Sequence, residues 1–197
     1  GMLVATGLTE SAAAQVDDCR SGTDAAGDPI SGTLECGENA EASSENATAI
    51  GDNAIAAGVN ATALGFNTAA LSLNSIAFGA NSRVGIDAED SIAIGEGASI
   101  ADGTDYALAI GRGARVEGDE DLDDDDLVGD YGIAIGDSAF VLGAESIALG
   151  TDAEVEGSES VALGADIDII GDNVVAVGDN ADVDGDNSIA IGTNSDV

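Results

Sequence analysis

Four consecutive aspartates, Asp123, Asp124, Asp125 and Asp126, are the densest set of potential metal ligands in the chain. A hard cation such as Ca2+ takes about six to eight oxygens, and an aspartate-rich loop can supply them. The run lacks the alternating ligands and fixed turn glycine of an EF-hand, and the Gly-Gly-x-Gly-x-Asp nonapeptide of calcium-binding β-rolls is absent. A solvated acidic loop is the competing reading, and Ca2+ is the only cofactor the sequence suggests. Cys19 and Cys36 show no metal-binding or redox spacing; they read either as an intrachain disulfide stapling an N-terminal leader to the body of the chain or as two free thiols.

Catalytic chemistry finds little support. The chain has no His and no Lys, so the usual general bases, nucleophile activators and Schiff-base formers are missing. Carboxylates are abundant, but on an exposed face nothing separates their pKa values into an acid and a base. Strings such as Gly95-Glu-Gly97 and Gly111-Arg-Gly113 are not followed by a helix, which a nucleotide fingerprint needs. The sequence is that of a non-enzyme.

Charge narrows the partners further. Four Arg against 39 Asp plus Glu leave a formal charge of −35 over 197 residues. Phosphate contacts need basic side chains, so nucleic acid is excluded as a partner, and an anionic membrane surface is equally unsuited. Such a surface fits a high-salt habitat, where ions screen the self-repulsion, or a divalent-cation binder. No apolar run is long enough to span a bilayer.

The elements that position these residues are set by one recurring phrase, seen as Asn187-Ser-Ile-Ala-Ile-Gly192 and in variants throughout. Its closing glycines fall at 37, 51, 65, 79, 95, 111, 136, 150, 164, 178 and 192, so seven of the ten intervals are 14 residues and the others are 16, 16 and 25. A unit this short cannot bury a face by itself; it must stack as one coil of a solenoid.

Each coil holds two period-2 segments separated by turn residues, which predicts an all-β, parallel β-roll of 14-residue, two-strand coils. In the last full coil Ala181 and Val183 are expected to face inward with Ile189 and Ile191, leaving Ala190 outward. The same rule places Ala77, Ala93, Ala109, Ala134, Ala148, Ala162, Ala176 and Ala190 in an outward column of one small residue, suited to close approach of another surface. The turn residues Asn39, Asn53, Asn67, Asn81, Asn180 and Asn194 tolerate positive φ and could form amide ladders at the strand spacing of about 4.8 Å. Ile55, Ala57, Ala69 and Leu71 lie where later coils carry acids and read as a contact patch or as isolated exposed residues.

Residues 1–33 form an irregular leader or cap, and residues 34–197 form the roll, with an acidic insertion near 118–130. Cys36 stands where the repeat normally has Ile or Leu, so a bridge to Cys19 would pin the leader to the first coil. The last residues, Ser195-Asp-Val197, are half of another strand, which reads as a piece of a longer chain.

Asn187-Ser-Ile-Ala-Ile-Gly-Thr-Asn-Ser195 and Asn74-Ser-Ile-Ala-Phe-Gly-Ala-Asn-Ser82 resemble the Asn-Ser-Val-Ala-Ile-Gly-x-x-Ser motif in YadA-type heads of trimeric autotransporter adhesins, and the 14-residue step matches as well. The resemblance implies a left-handed roll, a homotrimer, and export to the bacterial surface with an outer-membrane anchor elsewhere in the full-length protein. It implies a non-catalytic adhesin head that attaches to host matrix, cells or surfaces. In that family the motif is associated with collagen binding, which would place adhesion at Asn74, Ser75, Ile76, Ala77, Phe78, Gly79 and Ser82, and at Asn187, Ser188, Ile189, Ala190, Ile191, Gly192 and Ser195. The Ala77 to Ala190 column would then be the trimer contact. A structural spacer of a cell envelope or phage fibre, and a calcium-dependent binding module, are the alternatives.

Overall fold

The computed structural model describes residues 19–23, 27–118 and 129–197. Its regular structure is entirely β. An 11-stranded sheet, here the motif sheet, runs from Leu34–Cys36 to Ile189–Ile191, and a 10-stranded companion sheet runs from Glu41–Ala42 to Asp182–Asp184. Consecutive strands of the chain alternate between the two sheets, and every pairing within a sheet is parallel and in register. Ala148 lies beside Ala162, for example, and Val155 beside Ile169.

The chain therefore turns twice per coil. The glycine corner follows each closing glycine and leads to the companion strand; the serine corner leads back to the motif strand. Both corners hold a residue in the left-handed region, Asn53 (φ 57°) at the first and Asn60 (φ 59°) at the second. Asn and Asp tolerate that conformation best among residues with a Cβ. At the glycine corner the amides stack: Asn39 Nδ2 donates to Asn53 Oδ1 (3.3 Å), Asn67 to Asn81 (3.0 Å) and Asn180 to Asn194 (3.1 Å). The serine corner has a second ladder, not anticipated from the sequence, Asn46 to Asn60 to Asn74 to Asp90, with links of 3.1, 2.8 and 2.8 Å.

The motif serine ties neighbouring coils together from inside. Ser160 Oγ accepts the Val174 N–H and donates to the Gly171 carbonyl, both at 3.0 Å. Ser146 makes the matching pair with the Ser160 N–H and the Gly157 carbonyl. These hydroxyls satisfy turn amides and carbonyls that lie off the ladders, which buried backbone groups require.

The core differs from expectation on the motif strands. Ala77, Ala93, Ala109, Ala134, Ala148, Ala162 and Ala176 have no exposed area and Ala190 is 2% exposed, whereas Ile189 and Ile191 are 68% and 72% exposed. Likewise Val161, Leu163, Val175 and Val177 point away from the core, while Ala153, Val155, Ile167 and Ile169 on the companion strands are buried as expected. The reason is width. The two sheets are joined by turns of a few residues, so the motif strand inserts only a methyl, opposite Ala42, Ala56 and Ala70 in the first coils and opposite Val or Ile from Val84 onward. The alanine column is thus the inside of each chain, and it is not available to a neighbouring one.

The N-terminal end of the stack is covered. Arg20 and Glu35 form an antiparallel bridge, with Arg20 N–H donating to Glu35 O (2.9 Å) and Glu35 N–H donating to Arg20 O (2.8 Å). Glu35 occupies the alanine column, in register with Ala49, and is 8% exposed. Its carboxylate accepts Arg20 Nε (2.7 Å) and the Ala42 N–H (2.9 Å), closing the open edge of the first coil. Cys19 and Cys36 are joined by a disulfide with Cα atoms 4.4 Å apart. Cys36 pairs with Ile50 in the outward column, so the bridge lies on the outer side of the motif sheet and not in the core.

Candidate functional site

The widest continuous chemical feature on the molecule is the outer side of the motif sheet. Each strand contributes the two residues flanking its buried alanine, in register with their counterparts above and below: Ile133 and Ile135 beside Ile147 and Leu149, then Val161 and Leu163, then Val175 and Val177. Thr48, Thr62 and Cys36 are the only non-aliphatic, non-aromatic members over eleven strands. A strand written Ile-Ala-Ile, apolar on both faces, is the pattern of a strand covered on both sides. Soluble monomers rarely leave an apolar area of this extent open.

Polar side chains frame this face. At the serine corner the Asn and Asp series is interrupted by Tyr106 and Tyr131, both at φ 56°, whose rings stack with centroids 5.0 Å apart and planes 8° off parallel. A bulky residue in the left-handed region carries strain of about 1–3 kcal/mol; stacking offsets about 0.5–1.5 kcal/mol of it. The negative charge of Asp90, together with Tyr131, holds the Tyr106 phenol above its ordinary range. At the glycine corner Arg112 pairs with Asp137 at 2.5 Å.

The companion sheet presents a different surface. Its outward column runs Ile55, Ala69, Arg83, Ser99, Arg115, Phe140 in the first part and Glu154, Asp168, Asp182 in the second. Ile55 is 37% exposed, and Ala57, Ala69 and Leu71 are half-buried. Arg115 lies 5.0 Å over the Phe140 ring and pairs with Glu117. Burial and then the neighbouring Asp168 and Glu156 push the Glu154 carboxyl up; burial and then Asp182 do the same to Asp168. These are like charges stacked at strand spacing. Asp130, at the base of the acidic insertion, is raised by burial and by Asp105, although its carboxylate accepts the Asp105 N–H at 2.7 Å.

The family model of the YadA head domain repeat, in its two-copy form, matches residues 37–54, 56–82, 128–153, 142–166 and 170–195, together more than half of the sequence. The chain belongs to the YadA head family. Heads of this family are non-enzymatic, adhesin-type domains of surface-exposed trimeric autotransporters. The matches leave out residues 83–127, where coils of 16 residues and the acidic insertion break the 14-residue step. Among curated proteins, none matches the chain.

Within this YadA head the motif residues separate by role. Asn74 joins the serine-corner ladder, Ser75 Oγ donates to the Ser72 carbonyl (2.6 Å), Ala77 is buried, Gly79 turns the chain at φ 129°, and Ser82 Oγ donates to the Gly79 carbonyl (3.0 Å). Ile76 and Phe78 offer exposed apolar surface, and Asn74 is exposed as well. In the last coil Asn187 (φ 56°) donates its N–H to the Asp172 carbonyl of the preceding coil, Ser188 and Ser195 bond their own turns, Ala190 is inside, Gly192 turns at φ 130°, and Ile189 and Ile191 face outward. Asp123, Asp124, Asp125 and Asp126 lie outside the described residues. Among the described residues no group of three or more His, Cys, Asp and Glu side chains could hold a metal ion, and no helix is long and apolar enough to cross a membrane.

Proposed function

We propose that the chain is the head of a bacterial surface adhesin and acts as a homotrimer, packing the outer sides of three motif sheets around a common axis. The single observation that carries this reading is the double row of Ile, Leu and Val flanking the buried alanines. Two aliphatic columns over eleven strands need a cover of the same length and periodicity, and sister copies provide one. The trimer would present the three companion sheets outward, acidic in their second part, on a body of formal charge 3 × (−35) = −105, to matrix proteins, cells or a solid surface. Anchoring in an outer membrane belongs to this same reading.

Sedimentation equilibrium between about 0.1 and 1 M salt tests the assembly; a monomer throughout would end the trimer reading. Adhesion is tested with the purified trimer on immobilised matrix proteins and on cell surfaces over the same salt range. Saturable binding is expected; its absence at every salt would leave a rigid spacer with no ligand of its own.

A further inference from the structure

The two corners that frame the motif sheet are chemically unlike, and the difference is concentrated at two levels. At the first level Phe66, on the glycine corner, is 57% exposed, and on the opposite corner Val59 and Leu73 are 40% and 36% exposed. Val59 and Leu73 stand on adjacent rungs, since Val59 O accepts the Asn74 N–H at 2.9 Å. Phe66 falls midway between them along the chain, so its height on the stack lies between theirs. At the second level Arg112, whose guanidinium also pairs with Asp137 of its own chain, is on the glycine corner, and the Tyr106–Tyr131 stack is on the serine corner with Asp105 and Asp130 beside it. Arg112 falls between Tyr106 and Tyr131 in the chain, and so again between two adjacent rungs.

A rotation of 120° about an axis parallel to the stack leaves every residue at its own height. Three motif sheets facing such an axis bring the strand ends of one chain, its glycine corner, against the strand starts of the next, its serine corner. The contact is heterologous and closes as a ring. Resting on the trimer reading, we infer that Phe66 of each chain seats between Val59 and Leu73 of the next, and that Arg112 seats against the next chain's Tyr106–Tyr131 stack. An aromatic residue meets two aliphatic ones, and a guanidinium meets the edge of two stacked rings within a group of carboxylates, where the attraction of unlike charge favours it. Among the described residues Arg112 is the only cation on either corner. At other levels the same rotation sets acid near acid, as with Asp179 between Asp172 and Asp186, or small residues together, as with Thr151 between Ala144 and Ser158. The two matched levels therefore suit the register that the rotation imposes, and they account for tyrosine at two turn positions where the fold by itself favours Asn or Asp.

The test is a pair of cysteines placed across the seam, Phe66→Cys with Leu73→Cys in one chain, under mild oxidation at about 1 M salt, where the Debye length is about 3 Å. Within one chain these positions lie on opposite corners, so a bond between them joins chains. A covalent trimer on non-reducing gels is expected, with none from the mismatched pair Phe66→Cys and Tyr131→Cys. A trimer by sedimentation that yields no crosslink from the matched pair, or crosslinks equally well from the mismatched one, overturns the seam and leaves the trimer standing. A monomer by sedimentation in the unsubstituted protein overturns both. As a measurement free of introduced thiols, Arg112→Glu should weaken trimer association at least tenfold with the fold intact by circular dichroism, and Arg112→Lys should weaken it less. Unchanged association in Arg112→Glu overturns the proposal.

Discussion

Ile189 and Ala190 are neighbours on one strand and face opposite ways, the isoleucine 68% exposed and the alanine 2%. The smaller residue is inside because the roll is too thin for the larger one. Ala148→Leu should therefore cost about 1–3 kcal/mol through overpacking, read as a lower melting temperature in the monomer. Ile147→Ser with Leu149→Ser should leave a dilute monomer's secondary structure unchanged while abolishing association, read by sedimentation. The opposite pattern would restore the alanine column as the contact surface.

The closing glycines are held by two independent demands. Gly150 sits at φ 152°, and a Cβ there would overlap the carbonyl oxygen of Gly164 on the next coil. Gly150→Ala should cost on the order of 2–3 kcal/mol, since a strained backbone adds to the clash. Local hydrogen exchange should show the loss centred on the coils that carry Gly150 and Gly164. An alanine tolerated without a shift in melting temperature would mean that coil spacing adapts freely.

Much of this architecture is legible in the sequence, for particular reasons. The step between closing glycines sets the coil length, and Ala181 with Val183 marks the inner face of the companion strand because Asp182 and Asp184 mark the other. The motif strand offers no such contrast. In Ile-Ala-Ile both faces are apolar, hydropathy cannot choose, and only side-chain volume against the width of the roll assigns alanine to the core. Nothing in the sequence marks Ser146 and Ser160 as links between coils, because that part depends on backbone groups brought close only by stacking. Tyr106 and Tyr131 are 25 residues apart in sequence, and no periodic signal pairs them until the insertion is recognised as one coil.

The acidic ladder on the companion sheet gives a pH dependence of definite sign. Glu154 and Asp168 have folded-state pKa values above their unfolded ones, so their contribution is favourable below the ordinary carboxylate range and is lost as pH rises through the raised values. Melting temperature at low salt should thus increase as pH falls from neutral toward those values. Asp168→Asn should raise stability at neutral pH by about 0.2–1 kcal/mol, the cost of like charges facing across strands, and should flatten the pH profile. A steeper profile in the variant would reverse the assignment.

The cap closes the first coil. Glu35 is the carboxylate that takes the Ala42 N–H, so Glu35→Ala should leave that amide unpaired and cost about 1–3 kcal/mol. The disulfide closes a segment with a sequence separation of 17, for which loop entropy gives about 3 kcal/mol. Reduction should expose amides of the first coil to hydrogen exchange and leave those near Ala176 unaffected, because a solenoid loses order from its ends.

Salt sets two opposing forces on the proposed trimer. Charge repulsion among chains of −35 each weakens as the Debye length falls from about 10 Å at 0.1 M to about 3 Å at 1 M. The aliphatic contact between motif sheets has no such dependence and is strengthened by excluded salts such as sulfate. Association should therefore tighten steeply with NaCl up to about 1 M, and more per mole with sodium sulfate. Seam pairs such as Arg112 with the tyrosine stack act the other way, but they are one contact per interface against many carboxylates. A trimer that dissociates as NaCl rises would mean that charge pairing holds the chains together, and the aliphatic columns would then need another partner.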